Sequence, residues 1–89
     1  MRIIGGSLKG KIILPPPEFK ARPTTDVAKE ALFNILDNEF EFEGLNVLDL
    51  FSGTGSISYE FASRGVGHVW SVEMNQQYSS FIKDQAKKL

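Results

Sequence analysis

The apolar positions of this chain change period along its length, and each change predicts an element. Short β-branched runs at Arg2–Ile4 and Lys11–Leu14, separated by glycines, predict a β-hairpin or a pair of short strands. Pro15, Pro16 and Pro17 then forbid continuation of a ladder and impose an extended linker. Arg22-Pro23-Thr24-Thr25-Asp26 follows, ending in residue types suited to helix N-caps. From Asp26 to Asn38 the residues Val27, Ala28, Ala31, Leu32, Ile35 and Leu36 fall at helical spacing, so one face of this helix should pack. Residues 38–44 alternate acidic and aromatic side chains before Gly44, as a connector or an edge strand would.

Leu45 to Phe51 is a largely apolar run that reads as a buried strand. Ser52 to Ser56 is a glycine turn, and Ile57 to Arg64 a short helix stopped by Gly65. His68 to Val72 reads as a second strand closed by Glu73. Asn75 can cap a last helix whose Tyr78, Phe81, Ile82, Ala86 and Leu89 share one face. Strand, glycine turn, helix, strand, acidic residue and helix make a βαβα unit of the α/β class, with parallel strands and a right-handed crossover. The expected division is a basic hairpin and linker over residues 1–25, followed by an α/β body over 26–89.

Composition narrows the function classes. With 89 residues, 42% hydrophobic and 24% charged, one domain with a thin core is expected. The absence of cysteine excludes disulfides and thiolate metal sites, and His68 alone cannot build a metal centre. No apolar run approaches the ~18 residues of a membrane span, and the N-terminus lacks a signal-peptide layout. A soluble, cytoplasmic protein is expected. Charge is uneven: residues 1–25 carry +4 and residues 26–89 carry −5, within a net charge of −1. A basic arm ahead of an acidic body points to a polyanion, the alternative being an ordinary solvated surface.

Candidate chemistry centres on Asp49-Leu50-Phe51-Ser52-Gly53-Thr54-Gly55 and on Glu73. The glycines let the main chain turn sharply and approach a ligand with no Cβ in the way. The following helix offers unpaired N–H groups, and Glu73 ends the neighbouring strand where a carboxylate can accept both hydroxyls of a ribose. A dinucleotide fingerprint would want glycine or alanine where Ser58 stands. Asp49 would repel a pyrophosphate but suit a cation. S-adenosylmethionine carries a sulfonium, an ammonium and no phosphate, so electrostatics choose the methyl donor over NAD. The bland readings are a structural turn at Gly53 and Gly55, a helix cap at Asp49, a surface carboxylate at Glu73, core packing at Met74 and a structural His68.

The strings Arg2-Ile3-Ile4-Gly5-Gly6, Lys9-Gly10, Arg22-Pro23-Thr24-Thr25-Asp26, Glu30 to Leu36 and Val47 to Ser56 appear in a telling order. With Arg64-Gly65, His68-Val69 and Val72-Glu73 they resemble the N-terminal half of the bacterial 16S ribosomal RNA guanine-N2 methyltransferases, and the likeness covers essentially the whole chain. The resemblance implies an N-terminal β-hairpin plus part of a Rossmann-like class I methyltransferase sheet, here a truncated βαβα unit. It implies S-adenosylmethionine as cofactor, held at its methionine end by Asp49, Phe51, Ser52, Gly53, Thr54 and Gly55, at its ribose by Glu73 and near its adenine by Met74. Arg22 and Thr24 would sit over the cofactor mouth. Arg2, Lys9, Lys11 and Arg22 would meet phosphates of 16S ribosomal RNA or of the small-subunit particle, contacts that set affinity and not sequence choice.

One family element is absent: the Asn or Asp followed by Pro-Pro and an aromatic that grips the guanine amine. The only tandem prolines, Pro15 to Pro17, run into Glu18 and lie far upstream of the turn. No catalytic residue is therefore assigned, and the expectation is a fragment that is inactive alone. An uncovered apolar face and open strand edges predict self-association. The rival readings are a stand-alone RNA- or nucleoside-binding module and, more weakly, a nicotinamide-binding fragment.

Overall fold

The computed structural model describes residues 1–19 and 24–89. Three helices and two strands follow in the order α1 (Asp26–Glu39), β1 (Asn46–Leu50), α2 (Ser56–Ser63), β2 (His68–Val72) and α3 (Gln76–Lys88). The strands pair in parallel, with Asn46 opposite His68 and Leu50 opposite Val72. Side chains alternate across the sheet, so Val47, Asp49, Val69 and Ser71 face one side and Leu48, Leu50, Trp70 and Val72 the other. Two caps fix the helix starts. Thr25 Oγ1 accepts from Ala28 N at 3.2 Å, and Asn75 Oδ1 accepts from Gln77 N and Tyr78 N at 3.0 and 3.2 Å.

The N-terminal hairpin is shorter than its sequence suggests. A single antiparallel bridge joins Arg2 to Ile12, supported by Ile3 N to Lys11 O and Ile13 N to Met1 O, each 2.9 Å. The hairpin's alternation drives Ile3 and Ile13 inward, where they meet the Tyr59 ring of α2 with Met1, Leu8, Phe81 and Ile82 around them. A second apolar cluster joins Phe33 of α1, Phe42 and Phe61, with ring centroids 4.7 to 6.1 Å apart. Phe19 of the linker packs on Tyr78 and Phe81, at 4.5 and 5.5 Å.

Two sequence expectations fail here. β1 is not buried on both faces: Leu48 and Leu50 are 60% and 57% exposed, and Trp70 and Val72 beside them are also open. The face of α1 that packs is not the Val27–Leu36 stripe as a whole, because Val27, Leu32 and Ile35 are exposed while Lys29 and Phe33 are buried. Helix α1 is rotated by Lys29, whose ammonium lies 3.5 Å from the buried Glu60 carboxylate, so polar pairing overrides the apolar count. The expected face of α3 is only partly covered, with Tyr78, Phe81 and Ile82 half-buried and Ala86 exposed. Among the described residues no helix is long and apolar enough to cross a membrane.

Candidate functional site

At the carboxyl ends of the two parallel strands the chain bends through Phe51 to Gly55. The bend needs three left-handed residues: Gly53 at φ 59°, Gly55 at φ 88° and Phe51 at φ 58°. For phenylalanine that conformation carries strain, held here by the neighbouring bonds. Ser52 N donates to Val72 O at 3.0 Å, Ser52 Oγ to Asp49 O at 2.9 Å, and Gly55 N to Ser52 O at 2.9 Å. Phe51 is left 84% exposed at the mouth of the bend.

Glu73 closes the site from the other strand. Its Oε1 accepts from Gly53 N at 2.7 Å and its Oε2 from Asn75 N at 2.9 Å, so the carboxylate staples the glycine turn to the end of β2. A carboxylate has about four lone-pair positions. Two remain for further donors, and the two main-chain bonds make Glu73 a fixed part of the turn. Met74 is 89% exposed beside it and packs into no core formed by the described residues.

Asp49 does not cap α2, since Gly55 holds the N-cap position without a side-chain bond. Its half-buried Oδ2 instead accepts from Ser58 Oγ at 2.7 Å, and the Ser58 hydroxyl is also paired closely with that of Ser71. Ser58, the departure from the dinucleotide fingerprint, thus orients the carboxylate. Gly55 takes the left-handed turn the sequence suggests, at φ 88°, and packing gives it a second reason to be glycine. A Cβ there would stand 2.7 Å from Tyr59 Cζ and 3.1 Å from Ile82, so packing against α2 and α3 excludes a side chain. The Tyr59 hydroxyl beneath the turn has no hydrogen-bond partner among the described residues, and burial pushes the phenol well above its ordinary value of 10.0.

Comparisons with known proteins bear on the family and the fold. A family model described as "Conserved hypothetical protein 95" matches residues 1–89. The chain belongs to that family. It is similar to the "Putative rRNA methyltransferase YlbH" of Bacillus subtilis, 37% identical over 89 residues, covering 100% of this chain and 47% of that protein. It is similar also to "Ribosomal RNA small subunit methyltransferase D" of Escherichia coli K12, 36% identical, covering 97% of this chain and 43% of the relative. Among solved structures, a "Putative methyltransferase yhhF from Escherichia coli" superposes with a TM-score of 0.83 at 31% identity, covering 99% of this chain and 46% of that one. The fold is thus a partial Rossmann-like methyltransferase fold, and the chain spans about half the length of the curated relatives it matches.

In this member of the family the basic residues of the arm are open to solvent. Lys9 and Lys11 are exposed, and Arg2 is exposed with its Nε 3.9 Å from Asp26 Oδ2. Thr24 is exposed just before the Thr25 cap, and Arg22 lies outside the described residues. His68 stacks on Trp70 at 5.5 Å on the open sheet face, away from the turn. Sequence reasoning missed the polar network under the arm. Glu60 is fully buried and accepts from Ile4 N and Gly5 N, both at 2.9 Å, and from Arg64 Nε at 2.7 Å. Burial alone would raise the Glu60 carboxyl. The Ile4 amide, the Arg64 guanidinium and the Gly5 amide outweigh it and hold the group below its ordinary 4.5. The available signal was a lysine inside an apolar helix face, Lys29 four residues before Phe33, and the i,i+4 pair of Glu60 and Arg64.

Proposed function

We propose that this chain is the cofactor-binding part of an S-adenosylmethionine-dependent methyltransferase acting on the exocyclic N2 amine of a guanine in 16S ribosomal RNA. The observation that carries the reading is the Glu73 staple, which sets a carboxylate with spare acceptor positions directly against the glycine turn of two parallel strands. The donor set fits the cofactor. Glu73 would take the ribose hydroxyls, the turn from Phe51 to Gly55 would admit the methionine end, and Asp49 would supply negative charge for a cationic ligand. Met74 and Phe51, both exposed at the mouth, would cover the adenine and methyl ends respectively. When bound, the sulfonium supplies an electrophilic methyl group. A guanine amine is a poor nucleophile because its lone pair is delocalised into the ring, so catalysis is largely positioning in line with that methyl.

The reading assigns the grip on the amine to residues outside these 89 positions and predicts that the chain alone transfers no methyl group. Arg2, Lys9, Lys11 and Arg22 would meet RNA phosphates, with Thr24 near the cofactor mouth, in a cytoplasmic setting. The relatives' names support ribosomal RNA as the substrate class.

Calorimetry tests the cofactor. S-adenosylhomocysteine should bind, NAD should not, and Glu73→Ala should weaken the former by roughly tenfold or more, as the loss of charge-assisted hydrogen bonds to a ligand does. NAD binding as tightly as S-adenosylhomocysteine would defeat the reading. Methyl label incorporated into undermodified small-subunit RNA by the 89-residue chain would show that the amine is gripped within it.

A further inference from the structure

The N-terminal arm, residues 1–14, reaches the glycine turn at places the functional reading does not use. Thr54 Oγ1 donates to Met1 Sδ at 3.5 Å. The Lys29 ammonium donates to Arg2 O at 2.6 Å and to Ser56 Oγ at 3.1 Å, and Ser56 directly follows Gly55. Beneath them Tyr59, packed on Ile3 and Ile13 of the arm, lies against Gly55. The arm's other end is fastened by Ser63, whose Oγ donates to Gly5 O at 2.5 Å and accepts from Leu8 N at 2.9 Å. A Cβ on Gly6 would run into the Ser63 carbonyl, so the contact is main chain against main chain.

Lys29 and Glu60 are 1% and 0% exposed, and both depend on the arm to be satisfied. Lifting the arm would strip Glu60 of the Ile4 and Gly5 amides, strip Lys29 of its shortest bond, and open Ile3 and Ile13 to water. A lifted arm would leave the charge pair uncovered, so the docked arrangement, with both charges satisfied, is the favoured one. The basic side chains Arg2, Lys9 and Lys11 ride on the arm, whereas Thr54 and Ser56 belong to the turn.

We propose that Lys29 and Glu60 are positioning residues, a buried latch that ties the seat of the RNA to the seat of the cofactor. The inference rests on the functional reading above. Only the docked arm holds the cations at a fixed place relative to the turn, and only the docked arm supports the turn. Each ligand therefore favours the same state. With the latch intact the arm is already docked, and the two ligands bind independently. With the latch weakened, each apparent affinity falls by the fraction of molecules still docked, and either ligand restores the other's affinity by the same factor.

The test uses Lys29→Met, Glu60→Gln and the milder Ser56→Ala, which leaves the charge pair in place. S-adenosylhomocysteine is titrated by calorimetry and a labelled small-subunit RNA oligonucleotide by anisotropy, each alone and with the other saturating. Hydrogen exchange at the Ile4 and Gly5 amides reads the arm directly. In the native chain neither ligand should alter the other's affinity. In Lys29→Met both should weaken by a common factor of roughly tenfold, Ser56→Ala roughly twofold, with full reciprocal rescue and faster exchange that either ligand slows. Loss of one affinity alone, loss of both without rescue, or unchanged exchange would overturn the latch. Should the two charge variants fail to fold, Ser56→Ala decides by the same criteria. A native chain that does not bind both ligands would overturn the functional reading and the latch with it, whereas binding of both without rescue in the variants removes only the latch.

Discussion

Replacing Gly55 by alanine asks what the glycine is for. The residue sits at φ 88°, where a side chain costs about 1–2 kcal/mol for the left-handed backbone alone. Its Cβ would also stand 2.7 Å from Tyr59 Cζ and 2.8 Å from the Tyr59 hydroxyl, closer than carbon and oxygen atoms tolerate. Tyr59 cannot simply swing away, because it is only 5% exposed and wedged on Ile3 and Ile13. Overpacking of that kind adds about 1–3 kcal/mol, giving roughly 2–5 kcal/mol in all. In a domain this small each kcal/mol lowers the melting temperature by about 4–8 °C, so Gly55→Ala should melt at least ~8 °C below the native chain, with no ligand present. Tyr59→Phe removes one of the two closest atoms, the buried hydroxyl oxygen, which has no partner among the described residues. Alone it should be neutral or stabilising, and in its background Gly55→Ala should cost about 1 kcal/mol less. Thermal unfolding followed by circular dichroism gives the four midpoints of the cycle. If Gly55→Ala melts with the native chain while its affinity for S-adenosylhomocysteine collapses, the bare Cα faces the ligand and the packing argument is refuted. Zero coupling between positions 55 and 59 would refute it equally.

Two further outcomes follow from the network and from the open sheet face. Because the Glu60 carboxyl is held below 4.5, its contribution to stability is complete above that pH and is lost as pH falls through the lowered value; the urea midpoint of the native chain should decline over this acidic range, and the part due to Glu60 should be missing in Glu60→Gln. An unchanged acid slope in the variant would assign the decline to other carboxylates. The exposed face of Leu48, Leu50, Trp70 and Val72 should drive self-association of the 89-residue chain, relieved by Leu48→Lys; light scattering showing a native monomer at high concentration would contradict this.

Local chemistry made much of the site legible. The glycines at 53 and 55, the Asn75 cap and the short run His68–Val72 are short-range signals, and the three helices and two parallel strands formed within a residue or two of their expected bounds, whereas the N-terminal hairpin shrank to one bridge. The placing of Glu73 beside the turn was also readable, because a parallel strand pair puts both carboxyl ends together. Which face of each element would be covered was not readable. Hydrophobic periodicity reports that a stripe exists, whereas the direction it faces depends on which partner lies opposite. In α1 that partner is Glu60, 31 residues further along the chain, and it draws in Lys29 ahead of Val27 and Ile35.

The sequence by itself therefore determined the order of elements, the glycine bend and the carboxylates at the strand ends, since backbone sterics and side-chain spacing act over a few residues. Tertiary structure alone decided that a side chain at Gly55 would also strike Tyr59, that Ser58 orients Asp49, and that Glu60 is buried beneath the arm. These depend on atoms distant in sequence meeting in a space that excludes water, where an unpaired charge or an extra methyl group costs more than any local preference supplies.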